Sequence, residues 1–182
     1  MNLRVWMVSV FVLVAACGCS NPANQPSDKN FMQALNTYYQ DRDECLFPQG
    51  REFPYEVAPG SEAKQSKAQM DSLTDAGMFA RLEDLDLHVA SYSLTPIGKR
   101  YAPRFCYGHR VISSIVSFTP PGPRNGFTET TVTYRYSMED VPVWARTPKI
   151  EAVFPQMAKS LSDSATDQET LATAGAGWQV PQ

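Results

Sequence analysis

The chain has 182 residues, with 19 acidic and 16 basic side chains and a net charge of −3. That balance excludes a basic nucleic-acid binder, whose phosphate contacts need a positive face; 43% hydrophobic residues are enough for one folded core at this length. Fourteen prolines and 11% aromatic residues point to short elements joined by many turns, an α+β domain rather than a bundle of long helices.

At the N-terminus, Arg4 precedes the apolar run from Val5 to Ala15, which is short for a bilayer span and leads into small residues suited to a signal-peptidase groove. The tetrad Val14-Ala15-Ala16-Cys17 resembles the lipobox of bacterial lipoproteins. The resemblance implies that residues 1–16 form a removed signal peptide, that Cys17 is the lipidated first residue, and that acyl chains anchor the chain to the membrane. Gly18 stands second, where Asp tends to retain such proteins in the inner membrane, so the implied destination is the outer membrane, facing the periplasm. Other readings are cleavage before Cys19, for which Ala16-Cys17-Gly18 is a poorer approach, an uncleaved anchor, and secretion with Cys17 free. The uncleaved anchor needs about twenty apolar residues, and polar Ser20-Asn21 arrives before that.

Residues 17–29 are polar, carry Pro22 and Pro26, and read as a flexible tether ahead of a single domain over 30–182. Asp28 or Asn30 is placed to cap a first helix running to about Asp43, with Phe31, Leu35, Tyr38 and Tyr39 at helical spacing. From Leu46 to Gly60, three prolines make an irregular loop pinned by Phe47, Phe53 and Tyr55. Ser61 and Glu62 open a second helix carrying Ala63, Ala68, Met70 and Leu73, with Gly77 set to end it in a left-handed conformation. Leu85, Leu87 and Val89, then Tyr92 and Leu94, alternate as a strand pair turning near Ala90. Thr95-Pro96 starts a short helix with Ile97 and Tyr101. Arg110 to Thr119 reads as a strand buried on most of both faces. After the stiff turn 120–126, Phe127 to Met138 returns with Val132, Tyr134, Tyr136 and Met138 on one side. Pro142 and Pro148 mark two helix starts, Pro155 kinks or splits the second, and Trp144 plugs the core between them. The alternation around Leu171 makes a closing strand.

The stretch from about Ala68 to Tyr101, in particular Met70 to Phe79 and Leu94-Thr95-Pro96-Ile97-Gly98-Lys99-Arg100-Tyr101, is similar to the recognition-helix end and wing of winged-helix domains. In those domains the unit binds DNA. Here Asp71, Asp75, Glu83, Asp84 and Asp86 put on it a charge that repels phosphate, so the similarity implies a shape reused for protein contact. Phe105-Cys106-Tyr107-Gly108, Thr130 to Tyr136 and Pro142 to Ala145 resemble small proteobacterial lipoproteins, a likeness that carries a location but no activity.

Cys106 and His109 stand three apart, a zinc-like spacing that Cys45 and His88 could complete, but an exported domain favours a Cys45–Cys106 disulfide with Cα atoms about 5.5 Å apart. No Gly-x-Ser-x-Gly or His-Glu-x-x-His motif is present, and Gly175-Ala176-Gly177 lacks the rest of a dinucleotide fingerprint, so neither an enzyme nor a cofactor or metal site is expected. Lys99, Arg100, Arg104 and Arg110, beside His109, are the one local basic excess and a candidate contact patch. The expectation is an anchored, non-enzymatic interaction module with a periplasmic protein partner. The alternative is a binder of a small amphipathic or lipid-like ligand, lodged against the aromatic faces of the Val111 to Met138 hairpin.

Overall fold

The computed structural model describes residues 21–60 and 62–181, so the signal segment, Cys17 and Ser61 lie outside the described residues. After a 3₁₀ turn (Pro22–Asn24), the chain forms α1 (Asp28–Tyr39), β1 (Tyr55–Val57), α2 (Ala63–Asp75), β2 (Phe79–Asp84) and β3 (Val89–Leu94). It continues through β4 (His109–Phe118), β5 (Gly122–Arg124), β6 (Phe127–Glu139), α3 (Pro148–Val153), α4 (Pro155–Ser160) and β7 (Thr166–Thr173). The α+β class is as expected, with two antiparallel sheets and helices packed against them.

The expected tether is corrected over its described part. Asn21 Nδ2 donates to Gly175 O (3.2 Å), Asn24 Oδ1 accepts from Gly177 N–H (2.7 Å), and Trp178 Nε1 donates to Asn24 O (3.1 Å). Polarity alone does not free a segment whose polar groups find fixed partners. Ser27 is the cap of α1, its Oγ accepting from Asn30 N–H at 3.4 Å, and the helix stops at Tyr39, short of Asp43. Asp41 and Asp43 put negative charge where the helix dipole is itself negative, which disfavours continuing. Phe31, Ala34 and Leu35 form the buried stripe of α1, which packs on β4.

The smaller sheet has the order β1-β3-β2. Gly77, at φ +77°, ends α2 as expected and turns the chain directly into β2. The hairpin turn then lies over 85–88 rather than near Ala90. Asp84 Oδ1 accepts from the N–H groups of Asp86 and Leu87, both at 3.0 Å, so an Asx-type turn lifts Leu85 and Leu87 out of the strands.

The larger sheet is built on β6. Glu129 pairs with Gly122 of β5 and with Ala172 of β7, so these strands flank it on opposite edges, while β4 pairs with the remainder of β6. Thr130, Val132, Tyr134, Tyr136 and Met138 alternate into the core as the sequence predicts. Burial of β4 on both faces is not observed. Only Ile112 is fully buried there, because α1 covers one side while Val116 and Phe118 stay exposed on an edge strand. At a break in register, Ile112 N–H donates to Asn36 Oδ1 (2.8 Å).

Phe105 holds the aromatic half of the core together. Fully buried and at φ +54°, its ring lies 5.2 Å from Phe79, 5.8 Å from Phe47, 6.0 Å from Phe53 and 6.3 Å from Trp144. Trp144 plugs this cluster from a 3₁₀ turn (Val143–Arg146), and Pro155 splits the following helix into α3 and α4. Its indole N–H has no acceptor among the described residues. Trp144→Ala is expected to destabilise the fold by about 3–5 kcal/mol, whereas Trp144→Phe removes the unpaired N–H and costs less. Denaturant melts of the two variants check the ordering.

Candidate functional site

The unit formed by α2, β2 and β3 is braced from within. Thr95 Oγ1 donates to Gly77 O (2.7 Å) and accepts from Gly98 N–H (3.0 Å), tying the end of the hairpin to the end of the helix. A Cβ on Gly98 would meet Met78 O at 2.0 Å, so the Thr-x-x-Gly pattern is a steric requirement of this corner. On the outer side, Asp71 accepts from Lys67 (2.8 Å), Tyr92 Oη (2.8 Å) and Arg81 (3.2 Å). Burial opposes ionisation of Asp71, but these donors hold its carboxyl below the usual range. Beyond this brace the hairpin tip leaves the body, with Leu82 77%, Leu85 75% and Leu87 67% exposed among Glu83, Asp84 and Asp86.

The basic patch is divided by the structure. Lys99, Arg100 and Arg104 are exposed and make no ion pair among the described residues. Arg110 does not belong with them. Its side chain is only 15% exposed, and it forms an ion pair with Glu44 and another with Asp167 (2.7 Å). It also donates to Tyr134 Oη (3.0 Å), and its guanidinium stands 4.4 Å over the Tyr136 ring. Placing Arg110 on β4 opposite Met138 of β6 aims it at the loop after α1 and at β7, a convergence of distant segments that local sequence does not reveal.

This polar cluster extends further. Glu44 Oε2 accepts from Tyr107 Oη (2.9 Å) and Ser160 Oγ (2.8 Å), and Tyr136 Oη donates to Ser160 (3.3 Å). Tyr39 Oη bonds Tyr134 Oη (2.8 Å) and donates to Glu169 (3.1 Å). Burial would lower the Arg110 pKa, but bonds to Asp167 and Glu44 raise it. Burial raises Tyr39, as does its bond to Tyr134; burial and the charge of Glu44 do the same to Tyr107. Tyr39 and Tyr107 therefore stay protonated as donors, and each member of the cluster has a hydrogen-bond partner. Ser160 has an acidic acceptor but no imidazole beside it: His109 lies 3.5 Å from Asp140, and His88 sits at φ +54° in the hairpin turn. The arrangement locks elements together and offers no activated nucleophile.

Cys45 and Cys106 form the expected disulfide, which spans 61 residues. Their Cα atoms are 3.7 Å apart, closer than the expected separation, because the pair is an antiparallel bridge between the flanking bonds Tyr107 N–H to Glu44 O and Leu46 N–H to Phe105 O. With both sulfurs bonded to each other, neither is a thiolate for zinc. The aromatic faces expected to line a ligand pocket are core instead, since Tyr134 and Tyr136 are buried. Open clefts lie elsewhere. One of about 300 Å³ borders the disulfide at Phe47, Arg51 and Met157; another of about 460 Å³ lies between Phe127 and the C-terminal Val180 and Pro181.

Among the described residues no helix is long and apolar enough to cross a membrane. Comparison with known proteins finds no matching family model, no similar curated protein and no similar solved structure.

Two measurements follow from the Arg110 cluster. Arg110→Ala leaves Glu44 without its counter-ion and is expected to cost about 3 kcal/mol, the lower end for breaking a buried pair because Glu44 keeps some solvent contact. Asp167 has its pKa held down: burial opposes ionisation, but bonds from Arg110 and Gln168 N–H prevail. A depressed folded-state pKa stabilises above the unfolded value, near 4, and that contribution is lost as pH falls through the folded value. Asp167→Asn is therefore expected to be less stable than the parent at neutral pH and to converge with it in acid. Equal melting temperatures at pH 7 would contradict this.

Proposed function

We propose that the chain is an envelope lipoprotein, anchored through Cys17 to the outer membrane and facing the periplasm, whose domain is a non-enzymatic protein-interaction module. The lipobox-like tetrad supports the anchor and Gly18 the destination. The observation that carries the module reading is the hairpin tip. Three leucines at least two-thirds exposed, Leu82 near the end of β2 and Leu85 and Leu87 on the turn fixed by Asp84, braced from behind by Asp71 and Thr95, supply apolar surface of a kind that marks contact sites. The interleaved Glu83, Asp84 and Asp86 keep that surface soluble and favour a partner whose apolar groove is rimmed by Lys or Arg. The polar cluster around Arg110, by contrast, is satisfied internally and leaves no reactive group presented to a substrate.

A photo-reactive side chain at Leu85, introduced in the producing cell, is expected to give one discrete protein adduct that is lost in the Leu82→Ser, Leu87→Ser background. An adduct formed from Lys99 and not from Leu85 would transfer the contact to the basic patch, and adducts from neither position would sink the module reading. Separately, Cys17→Ser is expected to abolish metabolic fatty-acid labelling, and persistent labelling would refute the anchor.

A further inference from the structure

The docking of 21–25 onto the C-terminal turn limits how far the domain can lie from an anchored Cys17. Asn21 is held at Gly175, and Asn24 at Gly177 and Thr173. Four peptide steps separate Cys17 from Asn21, which at full extension reach no more than about 14 Å. The part of the domain around Asn21 and Gly175 therefore cannot leave the neighbourhood of the headgroups.

That pole has a distinctive surface. Thr128 pairs with Thr173, two residues before Gly175, so the end of the β5–β6 hairpin lies beside the docked N-terminal segment. Phe118 joins the same pole, its ring 5.0 Å from Phe31, which stands 5.2 Å from Trp178. Val116 is 53%, Phe118 40% and Phe127 46% exposed, large apolar groups that water does not favour. Between Val116 and Thr128 the chain carries one charged residue, Arg124, and no carboxylate. The Arg124 side chain is 75% exposed, with Glu129 at 3.9 Å as a loose partner. An exposed ring paired across the hairpin with a loosely held guanidinium suits a phospholipid surface, where the ring enters the interfacial layer and the cation meets phosphate. The acidic hairpin tip on the other sheet has the opposite character.

We propose that Phe118, Phe127 and Arg124 form a membrane-resting face that seats the domain on the bilayer in one orientation. The inference rests on lipidation of Cys17. Its contacts are too few to hold a soluble protein on a membrane, but the anchor makes them intramolecular, so a weak face suffices.

The test uses the full lipidated protein reconstituted into vesicles of phosphatidylethanolamine with a minority of phosphatidylglycerol, in which brominated acyl chains quench nearby indoles. Phe127→Trp is expected to lose most of its added emission in brominated vesicles, and Leu85→Trp to keep its own. If Cys17 carries fatty acid and the protein stays vesicle-bound, yet both added tryptophans keep their emission, the membrane face is overturned and the anchor stands. Equal quenching at both positions would mean no fixed orientation and would also overturn it. Absence of fatty acid on Cys17 would remove the anchor reading and this inference with it. As an independent arm, Arg124→Glu with Phe127→Ser should leave the melting temperature unchanged and abolish the difference in quenching between Leu85→Trp and a reporter at Phe118. A difference that survives both changes counts against the proposed face.

Discussion

Burial of Arg110 is the constraint on which the arrangement of the larger sheet depends. A guanidinium removed from water is tolerated only where anions and hydrogen-bond acceptors surround it, and here they arrive from separate parts of the chain: Glu44 from the loop after α1, Asp167 from β7 and Tyr134 from β6. Each supplier is itself tied down. Glu44 immediately precedes Cys45 of the disulfide, Tyr134 is fully buried, and Asp167 is fixed by the register Tyr134 to Asp167. Displacing one of these elements would leave a charge unpaired, so the cluster specifies how α1, β4, β6 and β7 meet as well as contributing to stability.

The disulfide and the aromatic hub extend that specification into the smaller sheet. Cys106 lies between Phe105, whose ring contacts Phe47, Phe79 and Trp144, and Tyr107, which donates to Glu44. Three consecutive residues therefore bind three systems: the apolar core, the crosslink and the ionic cluster. On the chain-entropy model, closing a loop of this length stabilises a fold by about 4 kcal/mol, a large share of a domain's net stability. Gly108, at φ +113° with Glu139 O where its Cβ would stand, lets the chain turn from this junction into β4.

What the sequence made legible were features whose cause is local. Alternation in β6, proline at the starts of α3 and α4, and Gly77 after α2 each have a physical reason within a few residues, and the disulfide joins the two cysteines left beyond Cys17 and Cys19. The turn at 85–88 departs from its expected place for a local reason, the Asp84 side chain, whereas the readings of 21–27 and of Arg110 require partners far along the chain. Phe79 is the one buried residue of β2, so that strand has no alternation to read, and the exposed leucines of the turn imitate one. Polar 21–27 looked free because its acceptors and donors sit on a turn about 150 residues away. Arg110 looked like part of a basic surface because it stands among cations in sequence, whereas alternation along β4 turns it toward Glu44 and Asp167. Of the candidate site, the acidic character of the hairpin is legible, but the leucine tip is not, since Leu85 and Leu87 alternate with Asp86 as strand residues do.

A folded N-terminal segment alters what an anchored domain can do. On a long flexible tether a module samples many orientations, and its contact surface spends little time facing any given partner. With the chain docked from Asn21 onward, four peptide steps in sequence separate the body from the proposed anchor at Cys17, and the hairpin tip connects to Asn21 through α2, the aromatic core and the larger sheet. If Cys17 carries the proposed anchor, an acidic, leucine-bearing tip held in this way meets partners at a restricted height and orientation, which raises its effective concentration for those in the same membrane and lowers it for those free in solution. The tip is separate from the body's own polar cluster: Arg110 and its acceptors are occupied in fixing the frame, and under the proposed function recognition falls to side chains that the frame does not use.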